Sequence, residues 1–109
     1  MTILQIEEIL YQKQEYIVFK GNNSDYIVYN TNKAFKKGHS HIKSKQRAID
    51  IIDNSINKRF PLNWSNYFIH TMIRLTTDHN FKARLERLRD TRKSKGRKQS
   101  YRNKGGIRV

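Results

Sequence analysis

The 109-residue chain reads as an α+β domain, a small antiparallel sheet covered by helices, and three features predict it. Two short runs, Tyr16-Ile-Val-Phe19 and Tyr26-Ile-Val-Tyr29, are rich in β-branched and aromatic residues and flank the turn chemistry of Gly21-Asn-Asn-Ser24. Three later stretches repeat their apolar residues at helical spacing. After Asp90 the apolar residues thin out, and eight Lys or Arg follow without a carboxylate.

In chain order, Thr2-Ile-Leu-Gln5 fits a capping box, and Ile3, Ile6 and Leu10 recur at helical spacing. This predicts a short N-terminal helix over residues 3–11, although Ile9-Leu10-Tyr11 suits the start of a strand equally well. The two β runs then form a hairpin. Each is apolar on both faces, so one face meets the helices and the other requires the first helix or a third strand.

Residues 31–43 turn polar and basic and are expected to form a loop bent at Gly38, leading to Ser44 as the N-cap of a helix over residues 44–57. Ala48, Ile49, Ile52 and Ile56 fall on one side of that helix. Pro61 is expected to stop it, and Asn63 or Ser65 to cap the next. Trp64, Phe68, Met72 and Leu75, with Ile69 and Ile73 beside them, make a stripe wide enough for the central core helix, over residues 64–76. Thr77-Asp-His-Asn80 then caps a last helix whose apolar positions are Phe81, Leu85 and Leu88. Residues 1–90 are expected to form one compact domain with three helices packed on the sheet, and residues 91–109 a disordered, basic tail.

A formal charge of +14 on 13.1 kDa is the strongest functional signal, because self-repulsion on that scale burdens the folded state at all times. A polyanion offsets it, through release of the polyanion's condensed counterions. The charge is uneven: residues 1–32 hold Lys13 and Lys20 against Glu7, Glu8, Glu15 and Asp25, and positive charge accumulates only from Lys33 onward. The absence of cysteine removes disulfides and thiolate metal sites. The first eight residues lack the positive region and apolar run of a signal peptide, and no stretch approaches membrane-spanning length, which points to the cytoplasm and away from a membrane. Heavy use of Ile, Asn and Lys suits an AT-rich genome, such as that of a low-GC bacterium or its phage.

Two constellations fit a nucleic acid. Lys33, Lys36, Lys37, Lys43, Lys45 and Arg47 follow one another with no acidic residue, interleaved with Phe35, His39 and His41. Phosphates attract such cations, unpaired bases stack on flat rings, and the helix start after Ser44 adds free N–H groups. The bland alternative is a solvated loop in a chain that happens to be basic. The second constellation is the arginine face of the last helix, Lys82, Arg84, Arg87, Arg89 and Arg92, running on into Lys93, Lys95, Arg97, Lys98, Arg102 and Lys104, with Tyr101 available for stacking. A tail that serves only solubility needs fewer uncompensated charges.

The sequence therefore predicts a small, non-enzymatic nucleic-acid-binding accessory protein that grips RNA or DNA by its phosphate backbone, with no cofactor and no metal. The runner-up is an interaction or inhibitor protein aimed at an acidic surface or at the nucleic-acid channel of a host enzyme. His39 and His41 support a third expectation, a metal-free, toxin-like endoribonuclease with one of them as general base and nearby Lys or Arg stabilising the charged phosphorane-like state. There is no His-Glu-x-x-His, no cysteine pair and no acidic cluster near His39, so a zinc or magnesium site has little sequence support.

Overall fold

The structure, a computed structural model, describes residues 8–105, with side chains through residue 93. Strands β1 (Ile9–Lys13), β2 (Tyr16–Lys20), β3 (Tyr26–Asn30) and β4 (His39–Ile42) form an antiparallel meander in the order β1-β2-β3-β4. Helices α1 (Phe35–Gly38), α2 (Lys45–Ile56), α3 (Asn66–Leu75) and α4 (His79–Gly105) complete an α+β fold. The predicted hairpin is its centre.

β2 and β3 pair without a slip, from Tyr16 opposite Asn30 to Lys20 opposite Tyr26. Strict alternation then divides their side chains between the two faces. Tyr16, Val18 and Val28 turn inward with Ile42 and are buried with Ala48, Ile51 and Ile52 of α2, Ile69, Met72 and Leu75 of α3, and Phe81 and Leu85 of α4. Ile17, Phe19 and Ile27 turn outward and are buried in a second cluster with Tyr29 and Phe35 packed against it. The strands are apolar on both faces because both faces are used.

Two expectations need correction. The predicted N-terminal helix is not what residues 9–11 form: they begin β1, and residues 1–7 lie outside the described part. Leu10 is the extra residue of a bulge between the pairs Ile9–Phe19 and Tyr11–Val18, and Tyr11 is turned to donate its hydroxyl to Asp53 on α2 at 2.8 Å. Helical spacing of Ile6 and Leu10 lost to a hydrogen-bonded ladder with β2. Residues 31–43 are likewise more than a loop, since they hold α1 and then β4, which pairs with the free edge of β3 from Tyr26–Ile42 to Tyr29–His39. The hairpin thus gains a strand on each side, and among the described residues the helices number four, with α1 additional to the three that share the core.

The basic tail expected over residues 91–109 overlaps α4. α4 stays helical through Gly105, a 27-residue run of about 40 Å at ~1.5 Å per residue. No proline interrupts it, and Lys, Arg and Gln are favourable helix residues. Residues 106–109 lie outside the described part.

Two helix ends differ in detail from the expectation or complete it. α2 stops before Pro61 by a Schellman motif: Lys58 takes φ 57°, its N–H donates to Ser55 O, and the Arg59 N–H donates to Asn54 O. Asp78 precedes α4 and caps it, its Oδ1 accepting the Phe81 N–H at 2.7 Å. That bond, assisted by Lys58, holds the Asp78 carboxyl below its usual range. Among the described residues no helix is long and apolar enough to cross a membrane.

Candidate nucleic-acid interface

α3 lies along the open edge of β4. The Tyr67 hydroxyl donates to His41 O at 2.8 Å, while Arg74 donates through Nε to His39 O at 2.8 Å and through Nη2 to Lys36 O at 2.7 Å. Residues seven apart on one helix thereby occupy edge carbonyls that another strand would otherwise seek. α4 packs on another side of α3, and Arg92 ties it to the N-terminal end by donating to Trp64 O, Leu62 O and Asn66 Oδ1. Between the two flanks α3 presents Tyr67, His70 and Arg74, all exposed.

Cations gather at the C-terminal end of α3. Lys33, from the segment between β3 and α1, donates its ammonium to Arg74 O at 2.6 Å, where the positive group complements a helix C-terminus. Its ammonium is held below the usual lysine range by burial first, and then by the charges of Lys82 and Arg74. Charges on α3 and α4 thus act on the ammonium of Lys33. No ion pair among the described residues involves Lys33, Arg74 or Lys82. Lys36 and Lys37 of α1 are exposed nearby in the chain.

A cleft opens at the other end of α3. Its volume is about 390 Å³, and Ile42, Lys43, Ser44, Arg47, Tyr67 and Phe68 line it. The Arg47 guanidinium lies 5.1 Å from the Trp64 ring centre and 5.3 Å from that of Phe68, within cation–π reach of both rings. Ser44 caps α2, accepting the Arg47 N–H at 3.2 Å, and Lys43 and Lys45 are exposed beside it.

The arginines of α4 do not form one face. At about 100° per residue, Arg84 and Arg87 fall on one flank, Lys82, Arg89 and Lys93 on the other, and Arg92 beneath with Phe81, Leu85 and Leu88. Arg84 donates to Lys58 O at 3.0 Å, and Arg89 pairs with Asp90 at 3.1 Å. Among the described residues expected to bind nucleic acid, Arg89 alone has a carboxylate partner, because the other ion pairs are Lys13–Asp53, Lys58–Asp78 and His41–Asp25. Lys95, Arg97, Lys98, Tyr101, Arg102 and Lys104 lie on the helical run of α4, with side chains outside the described part.

The two histidines on the outer face of β4 are both anchored through Nδ1. His41 Nδ1 donates to Asp25 Oδ2 at 2.8 Å, and His39 Nδ1 donates to Phe35 O. Their partners can only accept, so the neutral rings carry the free lone pair on Nε2. The ring centres are 5.1 Å apart, and His39 is stacked on Phe35 at 4.0 Å. Asp25 is buried, 7% exposed, and its Oδ1 has no hydrogen-bond partner. Gly21 admits it, since a Cβ there would stand 2.1 Å from that oxygen. Among the described residues no three side chains of metal-binding type come together.

Arg74, Tyr67 and Asp25 were not singled out by the sequence. Tyr67, His70 and Arg74 recur at three- and four-residue spacing opposite the apolar stripe, and that polar face was the available signal. Asp25 sits in a turn and carries none. Comparison of the chain with family models, curated proteins and solved structures finds no match.

Proposed function

We propose that the protein binds nucleic acid through its phosphates, along the exposed side of α3 and the cations that flank it. The observation that carries this reading is Lys33, whose ammonium sits on Arg74 O at the C-terminal end of α3 and is held low by burial and then by the charges of Lys82 and Arg74, with none of the three in an ion pair among the described residues. Holding like charges near one another costs free energy in the unbound protein, and an anion bound among them recovers it. Lys36 and Lys37 extend the positive surface at that end, and Lys43, Lys45 and Arg47 supply it at the other. A polymer with regularly spaced charges suits a surface with cations at both ends of a helix.

Fluorescence anisotropy of a labelled oligonucleotide, titrated with salt, tests it. Six or more phosphate contacts give a log–log slope of about −4 to −5 or steeper. A slope near zero overturns the reading. A pull-down repeated after nuclease treatment separates nucleic acid from an acidic protein: a partner that survives the nuclease favours the protein surface.

His41 and Asp25 favour a second reading, RNA cleavage. In that reaction His41 Nε2 takes the proton of a ribose 2′-hydroxyl, the 2′-oxygen attacks phosphorus, and the bond from phosphorus to the 5′-oxygen breaks. Protonated His39 gives its proton to the departing oxygen, leaving a 2′,3′-cyclic phosphate and a 5′-hydroxyl. His41→Ala and Asp25→Asn are each expected to reduce cleavage to background while the salt-dependent binding persists. An unmodified protein that leaves RNA intact removes this reading and does not touch the first.

A further inference from the structure

We infer that the cleft between β4 and the N-terminal end of α3 receives an unpaired nucleobase, so that the polymer crossing it is single-stranded. This rests on the nucleic-acid reading above and gives it a substrate class. The cleft lies toward the small end of the ~300–1,000 Å³ range of ligand sites, at about 390 Å³. Its walls suit a flat ring rather than a phosphate: Ile42 and Phe68 are apolar, and Tyr67 is 55% exposed with a hydroxyl fixed to His41 O. A large aromatic left in water on a helix otherwise buried by its apolar stripe is available for stacking.

The rim has the opposite character. Lys43 and Lys45 are exposed, Arg47 is half-buried on Trp64 and Phe68, and among the described residues no carboxylate lines the cleft. α2, twelve residues long, begins at the same rim with no acidic residue in its first turn. A phosphate attached to the inserted nucleotide meets a cation or free N–H groups where the backbone leaves the cleft past Lys43, Arg47 and the start of α2. Base pairing keeps the rings of a duplex stacked inside the helix. Only a strand with unstacked bases can use both the floor and the rim.

The proposal predicts a preference and a way to remove it. With single-stranded and duplex oligonucleotides of one sequence, compared by anisotropy at matched salt, the unmodified protein binds the single strand more tightly. Tyr67→Ala is expected to weaken single-strand binding about 10-fold, within the ~1–3 kcal/mol that one stacked base supplies, and so to narrow the gap between single strand and duplex. Tyr67→Phe, which keeps the ring and loses only the hydroxyl, retains most of the preference. Equal binding of both forms, unmoved by Tyr67→Ala in a variant whose circular dichroism matches the parent, overturns the cleft proposal and leaves phosphate binding standing. Failure of both oligonucleotides to bind at low salt overturns the two together. Displacement of a single strand by an acidic peptide, with no loss in Tyr67→Ala, also counts against it.

Discussion

Replacing Asn30 by alanine is expected to cost the fold about 3 kcal/mol, a large share of the ~5–15 kcal/mol that holds a domain together. Asn30 is fully buried at the end of β3, and its two amide atoms serve two elements. Nδ2 donates to Leu75 O at 2.7 Å, one of the α3 carbonyls that has no partner within the helix, and Oδ1 accepts the Asn32 N–H at 2.9 Å. Alanine leaves both backbone groups short of a partner, at about 1–3 kcal/mol each when desolvated, and adds a small cavity. Urea denaturation measures the loss. Asn30→Asp is a sharper control, because it keeps the acceptor, loses the donor and introduces a charge, and it is expected to be no better. A loss below about 1 kcal/mol for Asn30→Ala means that Leu75 O finds another donor. The segment that Asn30 shapes also carries Lys33 to Arg74 O, so nucleic-acid affinity is expected to fall with stability.

That residue illustrates where the sequence stopped being legible. The hairpin was readable because Tyr16-Ile-Val-Phe19 and Tyr26-Ile-Val-Tyr29 are β-formers on both faces, and α2, α3 and the start of α4 because their apolar spacing survives any arrangement of the tertiary fold. β4 was not readable: His-Ser-His-Ile has one buried apolar residue and becomes a strand only because β3 offers it an unpaired edge. β1 carried a helical spacing that its pairing with β2 overrode. A similar limit governs the site. Net charge pointed to Lys33 and to α4, but meeting at α3 depends on contacts between residues far apart in sequence, such as Lys33 and Arg74. Grouping the α4 arginines by sign alone merged two flanks of one helix, which the angular spacing of Lys82 and Arg84 separates.

The variant Lys33→Gln/Arg74→Gln/Lys82→Gln is expected to lose about 100- to 500-fold in nucleic-acid affinity at ~0.1 M salt, with a log–log salt slope shallower by about 2–3. Each phosphate contact removed forfeits the release of close to one counterion, which at that salt is worth roughly 5- to 8-fold. The matched control is Lys13→Gln/Lys20→Gln/Arg59→Gln, which removes the same charge from β1, β2 and the segment after α2. If net charge alone governs binding, the two triple variants lose affinity equally, and the α3 surface has no special role. Stability separates the cluster from an ordinary structural network. Lys82 forms no ion pair among the described residues and lowers the Lys33 ammonium through repulsion, so Lys82→Gln by itself is expected to leave the unbound fold unchanged or slightly more stable while weakening binding. The pH dependence has a definite sign. Lys33 has a folded pKa below its unfolded one, so the fold carries a penalty at pH values below both, and the penalty is relieved as pH rises through the folded pKa. Binding moves the other way: an anion favours the charged ammonium, and affinity falls as pH rises toward that same value, earlier than for an ordinary lysine. Lys33→Arg keeps its charge throughout, so the alkaline loss of affinity is expected to shrink in that variant, and an unchanged profile would assign the loss to other groups.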